Sequence, residues 1–296
     1  MKLIYNCYPC ILRQVLSTGK LIDLSESQLK TVIDKTMKIL LATSEHDSPQ
    51  HIIVQIFNYV NMMFFNESKI FDPYAKLKKD SNAAVLHYFD YLESYVHSAS
   101  SPLERAIKKA AAGNIIDFGA KDHGNIDIDK EIHEIPLLKF SIYDFKPLKT
   151  RLEKAKMLLY IGDNAGEIVF DRILIRQIQR QYPGIRIVFA TREKPIINDV
   201  TIKDPYEVGL NKEAEIISSG CIYPGLMLDM THDNFKELYR KSDIIIAKGQ
   251  GNYEGLSDEI DRRLFFILRI KCERIAKDIG ADIGSLVLFQ KMDTKK

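Results

Sequence analysis

Apolar residues recur every three or four positions over the first third of the chain, and then the period changes. Ile11, Leu12, Val15 and Leu16 share one helical stripe. So do Leu29, Val32, Ile33, Met37, Leu40 and Leu41, with Ser25 placed as an N-cap. Pro49 stands where a first helical turn tolerates it, ahead of Ile52, Ile53, Ile56, Phe57 and Val60. Asp72-Pro73 opens a helix carrying Leu77, and residues 83–96 and 102–112 complete a bundle-like set. Strand signals are few here, which predicts an all-helical N-terminal domain. Residues 121–150 are mixed, with acidic Asp127, Asp129, Glu131 and Glu134 and the breakers Pro136 and Pro147; they read as a connection holding a short helix.

From Arg151 the pattern shortens. Residues 157–161, 185–190, 215–217, 244–247 and 285–289 are apolar runs of buried-strand length, and 265–270 is a further candidate. Helical stretches at 167–180, 235–240 and 272–279 lie between several of them. Such alternation predicts a mostly parallel sheet covered on both faces. The fold class is therefore α/β: a Rossmann-like, mostly parallel sheet domain over residues 151–296, preceded by an all-helical N-terminal domain with its connecting segment over 1–150.

At 296 residues, 46% hydrophobic and 28% charged, the chain can bury a real core. A formal charge of +2 gives no reason to invoke nucleic acid, and no segment approaches the ~18 apolar residues of a membrane span. The start, MKLIYNCYPC, lacks signal-peptide architecture, which predicts a cytoplasmic chain. Four cysteines, Cys7, Cys10, Cys221 and Cys272, are too few for a disulfide scaffold. Cys7 and Cys10 form a CxxC that reads as a redox dithiol, half a zinc site or a structural pair; the second pair of a zinc ribbon is missing.

The chemistry concentrates around residues 156–174. A short apolar run ends in Gly162-Asp163-Asn164-Ala165-Gly166, and a helical pattern starts at Glu167. A strand, a glycine turn and a helix offer a ligand unpaired N–H groups and partial positive charge. A carboxylate inside such a turn repels phosphate unless a hard cation lies between them, to which both Asp163 and Asn164 can give oxygen. The competing reading is that one of them caps the helix. Loops after parallel strands gather at one edge, so Asp199, in the loop after the second strand, and Lys248-Gly249-Gln250-Gly251-Asn252, after the fourth, join that turn. Asp163, Asn164 and Asp199 make an oxygen-only set suited to Mg²⁺ or Mn²⁺, and Lys248 supplies positive charge for a phosphoryl group. Asn114 and Asp117 sit between Gly113 and Gly119, either lining a cleft or tying off local backbone. No GxxxxGK[ST], GxGxxG with its acidic partner, GxSxG or HExxH occurs.

With GNIIDFG at 113–119, GDNAGE at 162–167, NDVT at 198–201 and KGQGNYEGL at 248–256 in order, the chain resembles the damage-control phosphatase family, earlier a domain of unknown function and in part labelled acidic-residue methyltransferases. The CxxC and Lys271-Cys272 resemble its prokaryotic and archaeal branch. The resemblance implies a helical domain and a Rossmann-like domain with the site between them. It implies a divalent metal (Mn²⁺, Mg²⁺, Co²⁺ or Ni²⁺) on Asp163, Asn164 and Asp199, with Asn114, Gly166, Glu167, Lys248 and Asn252 near the substrate. The catalytic set is Asp163, Asn164, Glu167 and Lys248. The activity implied is hydrolysis of phosphate monoesters of sugar phosphates or related, sometimes damaged, metabolites. Partners are then a small-molecule phosphate ester, with neither nucleic acid nor membrane, in a monomer or small homo-oligomer. The alternatives are an S-adenosylmethionine-dependent carboxyl methyltransferase and a non-catalytic sugar-phosphate or metal-sensing module.

Overall fold

The computed structural model describes residues 1–44, 47–65, 72–113 and 140–291. Among the described residues six helices come first: α1 (Cys7–Leu21), α2 (Glu26–Leu41), α3 (Pro49–Phe64), α4 (Ala75–Leu86), α5 (Phe89–His97) and α6 (Pro102–Ala112). Ser25 caps α2, as its position predicts, in a reciprocal capping box with Gln28; Pro49 opens α3 as expected, behind a Ser48 cap. The stretch read as one helix over 83–96 divides at His87–Tyr88 into α4 and α5.

The rest alternates: β1 (Phe140–Tyr143), α7 (Phe145–Leu152), β2 (Met157–Ile161), α8 (Glu167–Gln181), β3 (Arg186–Thr191), α9 (Lys203–Glu207), β4 (Glu215–Ser218), α10 (Asp233–Lys241), β5 (Ile244–Lys248), α11 (Gly249–Leu256), β6 (Leu264–Arg269), α12 (Glu273–Ile279) and β7 (Leu286–Gln290). Among the described residues the strands form one sheet in the order β1-β7-β6-β5-β2-β3-β4. β2 to β6 run parallel, β7 pairs antiparallel with β6, and β1 pairs parallel with β7. Side chains alternate strictly between faces, the signature of a sheet buried on both sides. Leu158, Tyr160, Phe189 and Ile246 join one core; Leu159, Ile161, Val188 and Ile245 join the other.

Two features depart from the sequence reading. Residues 140–143, read as connection, are strand β1, a four-residue edge strand whose single apolar alternation is too short to stand out. Helices α5 and α6 share the core of the β2–α8 face, while α1 to α3 hold a separate core of their own. Ala106, Ala110, Ala111 and Ala112 are fully buried, and small side chains let α6 lie close to α8. The core of α1–α3 also takes in Ile196, with Ile197, Ile222 and Tyr223 packed against it, from loops at the carboxyl edge of the sheet. That contact sets the first three helices over the edge where the candidate residues lie. No helix among the described residues is long and apolar enough to cross a membrane.

Candidate active site

The chain leaves β2, builds outward through β3 and β4, then returns to place β5 on the other side of β2. A reversal of this kind opens a crevice beyond the strand ends, where ligands of open parallel sheets bind. Gly162 to Gly166 lies in it. Two backbone hydrogen bonds tie this turn to the loop after β3: Val200 N donates to Asp163 O at 2.8 Å and Ala165 N to Asn198 O at 3.0 Å. Asn164 and Asp199 thereby form an isolated antiparallel bridge. The backbone itself, before any side chain acts, sets Asp163 and Asn164 against Asp199.

Side chains then fix the carboxylates. Arg192 Nε donates to Asp199 Oδ2 at 2.8 Å, and Gly225 N donates to the same oxygen at 3.1 Å. Arg192 Nη2 donates to Asn252 Oδ1 at 2.7 Å. Asn164 Nδ2 donates to Asp163 Oδ2 and to Glu167 Oε1, both at 3.0 Å, so the amide oxygen is its remaining ligand atom. Gly249 has a φ of +78°, and a Cβ built there meets Asp163 Oδ2 at 1.7 Å. Only glycine lets the start of α11 come this close to the carboxylate. Gly166 caps α8 with a φ of 81° and donates its N–H to Asn82 Oδ1 on α4 at 2.7 Å.

Glu167 and Asp171 are one helical turn apart and share a face of α8. Lys248, the last residue of β5, reaches Asp171 Oδ1 at 2.6 Å and Glu167 Oε2 at 3.7 Å, while Tyr160 Oη donates to Asp171 Oδ1 at 2.7 Å. Four buried carboxylates (Asp163, Glu167, Asp171, Asp199) thus surround two buried cations, Lys248 and Arg192. Burial dominates the acidities of these carboxyls. Burial, then the charges of Glu167 and Asp199, hold the Asp163 carboxyl well above its usual range. Burial likewise raises Asp199 against the pull of Arg192, and Glu167 against the pull of Lys248. Burial alone would lower the Lys248 ammonium, but Asp171 and Glu167 outweigh it and the net shift is upward. Lys271, exposed beyond β6, adds positive charge that is felt at both Asp163 and Glu167.

Seven sequence-derived candidates, Asp163, Asn164, Gly166, Glu167, Asp199, Lys248 and Asn252, belong to this crevice; Asn114 lies outside the described residues. Two take different places from those expected. Lys248 is fully buried with its charge engaged by two carboxylates, where the sequence reading gave it a point contact to phosphate. Asn252, assigned to substrate, is fully buried and donates to Gly162 O at 3.0 Å and Lys248 O at 2.6 Å, so its amide ties β2, β5 and Arg192 together. The residues after Lys248, read from the sequence as a loop after the fourth strand, form helix α11. Sequence reasoning missed Arg192, Asp171, Tyr160, Asn82 and Lys271. Asp171 carried a signal, as an acid four residues beyond Glu167 on the same helix, and Lys271 stood in the Lys271-Cys272 motif without a role assigned to it.

Among the described residues no three His, Cys, Asp or Glu side chains converge on a metal position. The four cysteines are free. Cys7, Cys10 and Cys272 line a mostly apolar cleft of about 220 Å³ with Gln50 and Glu254.

The model of the damage-control phosphatase ARMT1-like domain matches residues 3–287. An uncharacterised protein of Methanocaldococcus jannaschii is 34% identical over 295 residues, covering 97% of this chain and 94% of the relative. A damage-control phosphatase of Archaeoglobus fulgidus is 30% identical over 292 residues, covering 97% and 98%. One of Pyrococcus horikoshii is 36% identical over 219 residues, covering 74% and 75%. The crystal structure of a DUF89 family protein from Pyrococcus horikoshii superposes with a TM-score of 0.86 at 30% identity, over 98% of this chain and 99% of that one.

Proposed function

The chain belongs to the damage-control phosphatase ARMT1-like family, and from that premise we propose that it is a metal-dependent phosphomonoester hydrolase acting on sugar phosphates or related, often damaged, metabolites. The observation that carries the metal is the excess of buried carboxylate at one crevice, with two aspartates from different loops pinned by a backbone bridge. Hard divalent cations such as Mn²⁺, Mg²⁺, Co²⁺ or Ni²⁺ fit an all-oxygen set, and ionised Asp163 and Asp199 need a cation to offset their burial. Asp163, Asp199 and the amide oxygen of Asn164 would hold it. When bound, such an ion supplies a Lewis acid for a phosphoryl oxygen and lowers the pKa of water.

The protein's own groups do the rest. The N-terminus of α8 directs partial positive charge at the phosphoryl group. The exposed ammonium of Lys271 adds charge at the mouth of the crevice. Glu167, held by Asn164 and Lys248, orients a substrate hydroxyl or the attacking water. Lys248 and Tyr160 keep Asp171 in place behind it. Water adds to phosphorus as the ester P–O bond breaks, and the leaving oxygen takes a proton from solvent.

A panel of divalent metals against phosphate monoesters tests this reading. Hydrolysis is expected only with metal, and Asp163→Ala should abolish it with the fold intact by circular dichroism. Near-normal metal-dependent activity in Asp163→Ala ends the proposal.

A further inference from the structure

Asn82 is the polar group that the crevice leaves half explained. It sits in the middle of α4, is 3% exposed, and accepts the Gly166 N–H through Oδ1. A backbone N–H can only donate, so this bond fixes which end of the amide is oxygen. The NH₂ end is therefore held beside the first turn of α8, and Nδ2 has no hydrogen-bond partner among the described residues. An unpaired donor at this depth is costly and calls for an acceptor. One turn earlier on the same helix, Lys78 shows what a purely structural tie looks like. Its ammonium is paired with Asp72 at 2.8 Å and Asp204 at 3.2 Å, and Asp204 Oδ2 accepts from both Thr201 N and Thr201 Oγ1. A tie of Asn82 to Gly166 would use only the amide oxygen, which leaves its donor free for another purpose.

We propose that Asn82 is a substrate-contacting residue, whose Nδ2 donates to a phosphoryl oxygen of a phosphate monoester seated at the start of α8. Two independent observations meet here: the N-terminus of a 15-residue helix, which favours anions, and a buried donor without an acceptor beside it. A neutral amide adds a hydrogen bond without adding a cation to compete with the one held by Asp163 and Asp199. The assignment rests on the phosphatase reading of the same turn, and it makes α4, outside the sheet domain, part of the phosphate cradle.

Inorganic phosphate with Mg²⁺ is the probe. In full-length protein labelled with ¹⁵N-asparagine, the Asn82 side-chain NH₂ signals, identified by their proximity to the Gly166 N–H, should shift on phosphate addition. Asn82→Asp keeps the acceptor for Gly166 and removes the donor, so it should fold and bind phosphate at least about tenfold more weakly. If that variant does not fold, the wild-type amide signals decide alone. Wild type that binds phosphate with these signals unmoved overturns the assignment and leaves the phosphatase reading standing, as does binding by Asn82→Asp within about twofold of wild type. Wild type that binds no phosphate overturns both.

Discussion

Replacing Lys248 with methionine separates a buried counter-ion from a phosphate contact. The ammonium lies 2.6 Å from Asp171 Oδ1 and 3.7 Å from Glu167 Oε2, in a residue with no exposed surface. At an effective dielectric of about 20, those two attractions are worth roughly 6 and 4 kcal/mol before desolvation is subtracted. Desolvation of the ammonium offsets several kcal/mol of this, so the pair contributes little net beyond an apolar substitute. Truncating one side is a different matter, because Asp171 and Glu167 then remain buried without their cation. Lys248→Met should therefore cost about 3–5 kcal/mol, read from urea unfolding monitored by circular dichroism. Adding Asp171→Asn removes one stranded charge and should recover a large part of that loss, a non-additivity expected of residues in direct contact. A surface lysine that merely meets phosphate would cost under about 0.5 kcal/mol when removed. A loss that small for Lys248→Met, or a double variant no more stable than the single, refutes the buried-cluster account.

Gly249→Ala is expected to be severe, since it combines a φ of +78° with a Cβ 1.7 Å from Asp163 Oδ2. Mn²⁺ affinity by calorimetry should collapse and stability fall by at least about 1–3 kcal/mol, whereas Gly184→Ala, with nothing within 4 Å, serves as the neutral control. The pH dependence of stability has a defined sign. Burial raises the folded-state pKa values of Asp163, Asp199 and Glu167 above the unfolded values of about 3.9–4.3. The folded chain then binds the extra protons, so the contribution of these groups to metal-free stability falls as pH rises from about 4 through the raised values. Mn²⁺ requires the ionised forms, so the gain in melting temperature on adding it should grow with pH over the same window. A gain that shrinks as pH rises speaks against carboxylate ligation.

Much of this architecture is written in local pattern. The runs at 157–161 and 244–247 are too apolar and too short to be anything but buried strands, and the turn after each is where chemistry collects in such sheets. What local pattern lacks is the partner of each side chain. Lys248 reads as a loop lysine because nothing in its neighbourhood shows Asp171, 77 residues earlier, lying 2.6 Å away. Arg192 ties Asp199 to Asn252 across 60 residues, and Asn82 meets Gly166 from 84 residues upstream. The glycines of 249–255 argue for a turn by propensity, yet they lie in helix α11, and close approach to Asp163 and Leu226 leaves no room for side chains at 249 and 255. Strand β1 escaped notice for a simpler reason, being a short edge strand with little alternation to read.

The central claim is that Asp163 and Asp199 hold one divalent ion between them. Equilibrium binding of Mn²⁺, followed by the loss of the free-ion electron paramagnetic resonance signal, tests it directly in wild type, Asp163→Ala and Asp199→Ala. One ion per chain in wild type, with affinity lost in either single variant, is the predicted result. Mn²⁺ binding that survives both substitutions contradicts the account.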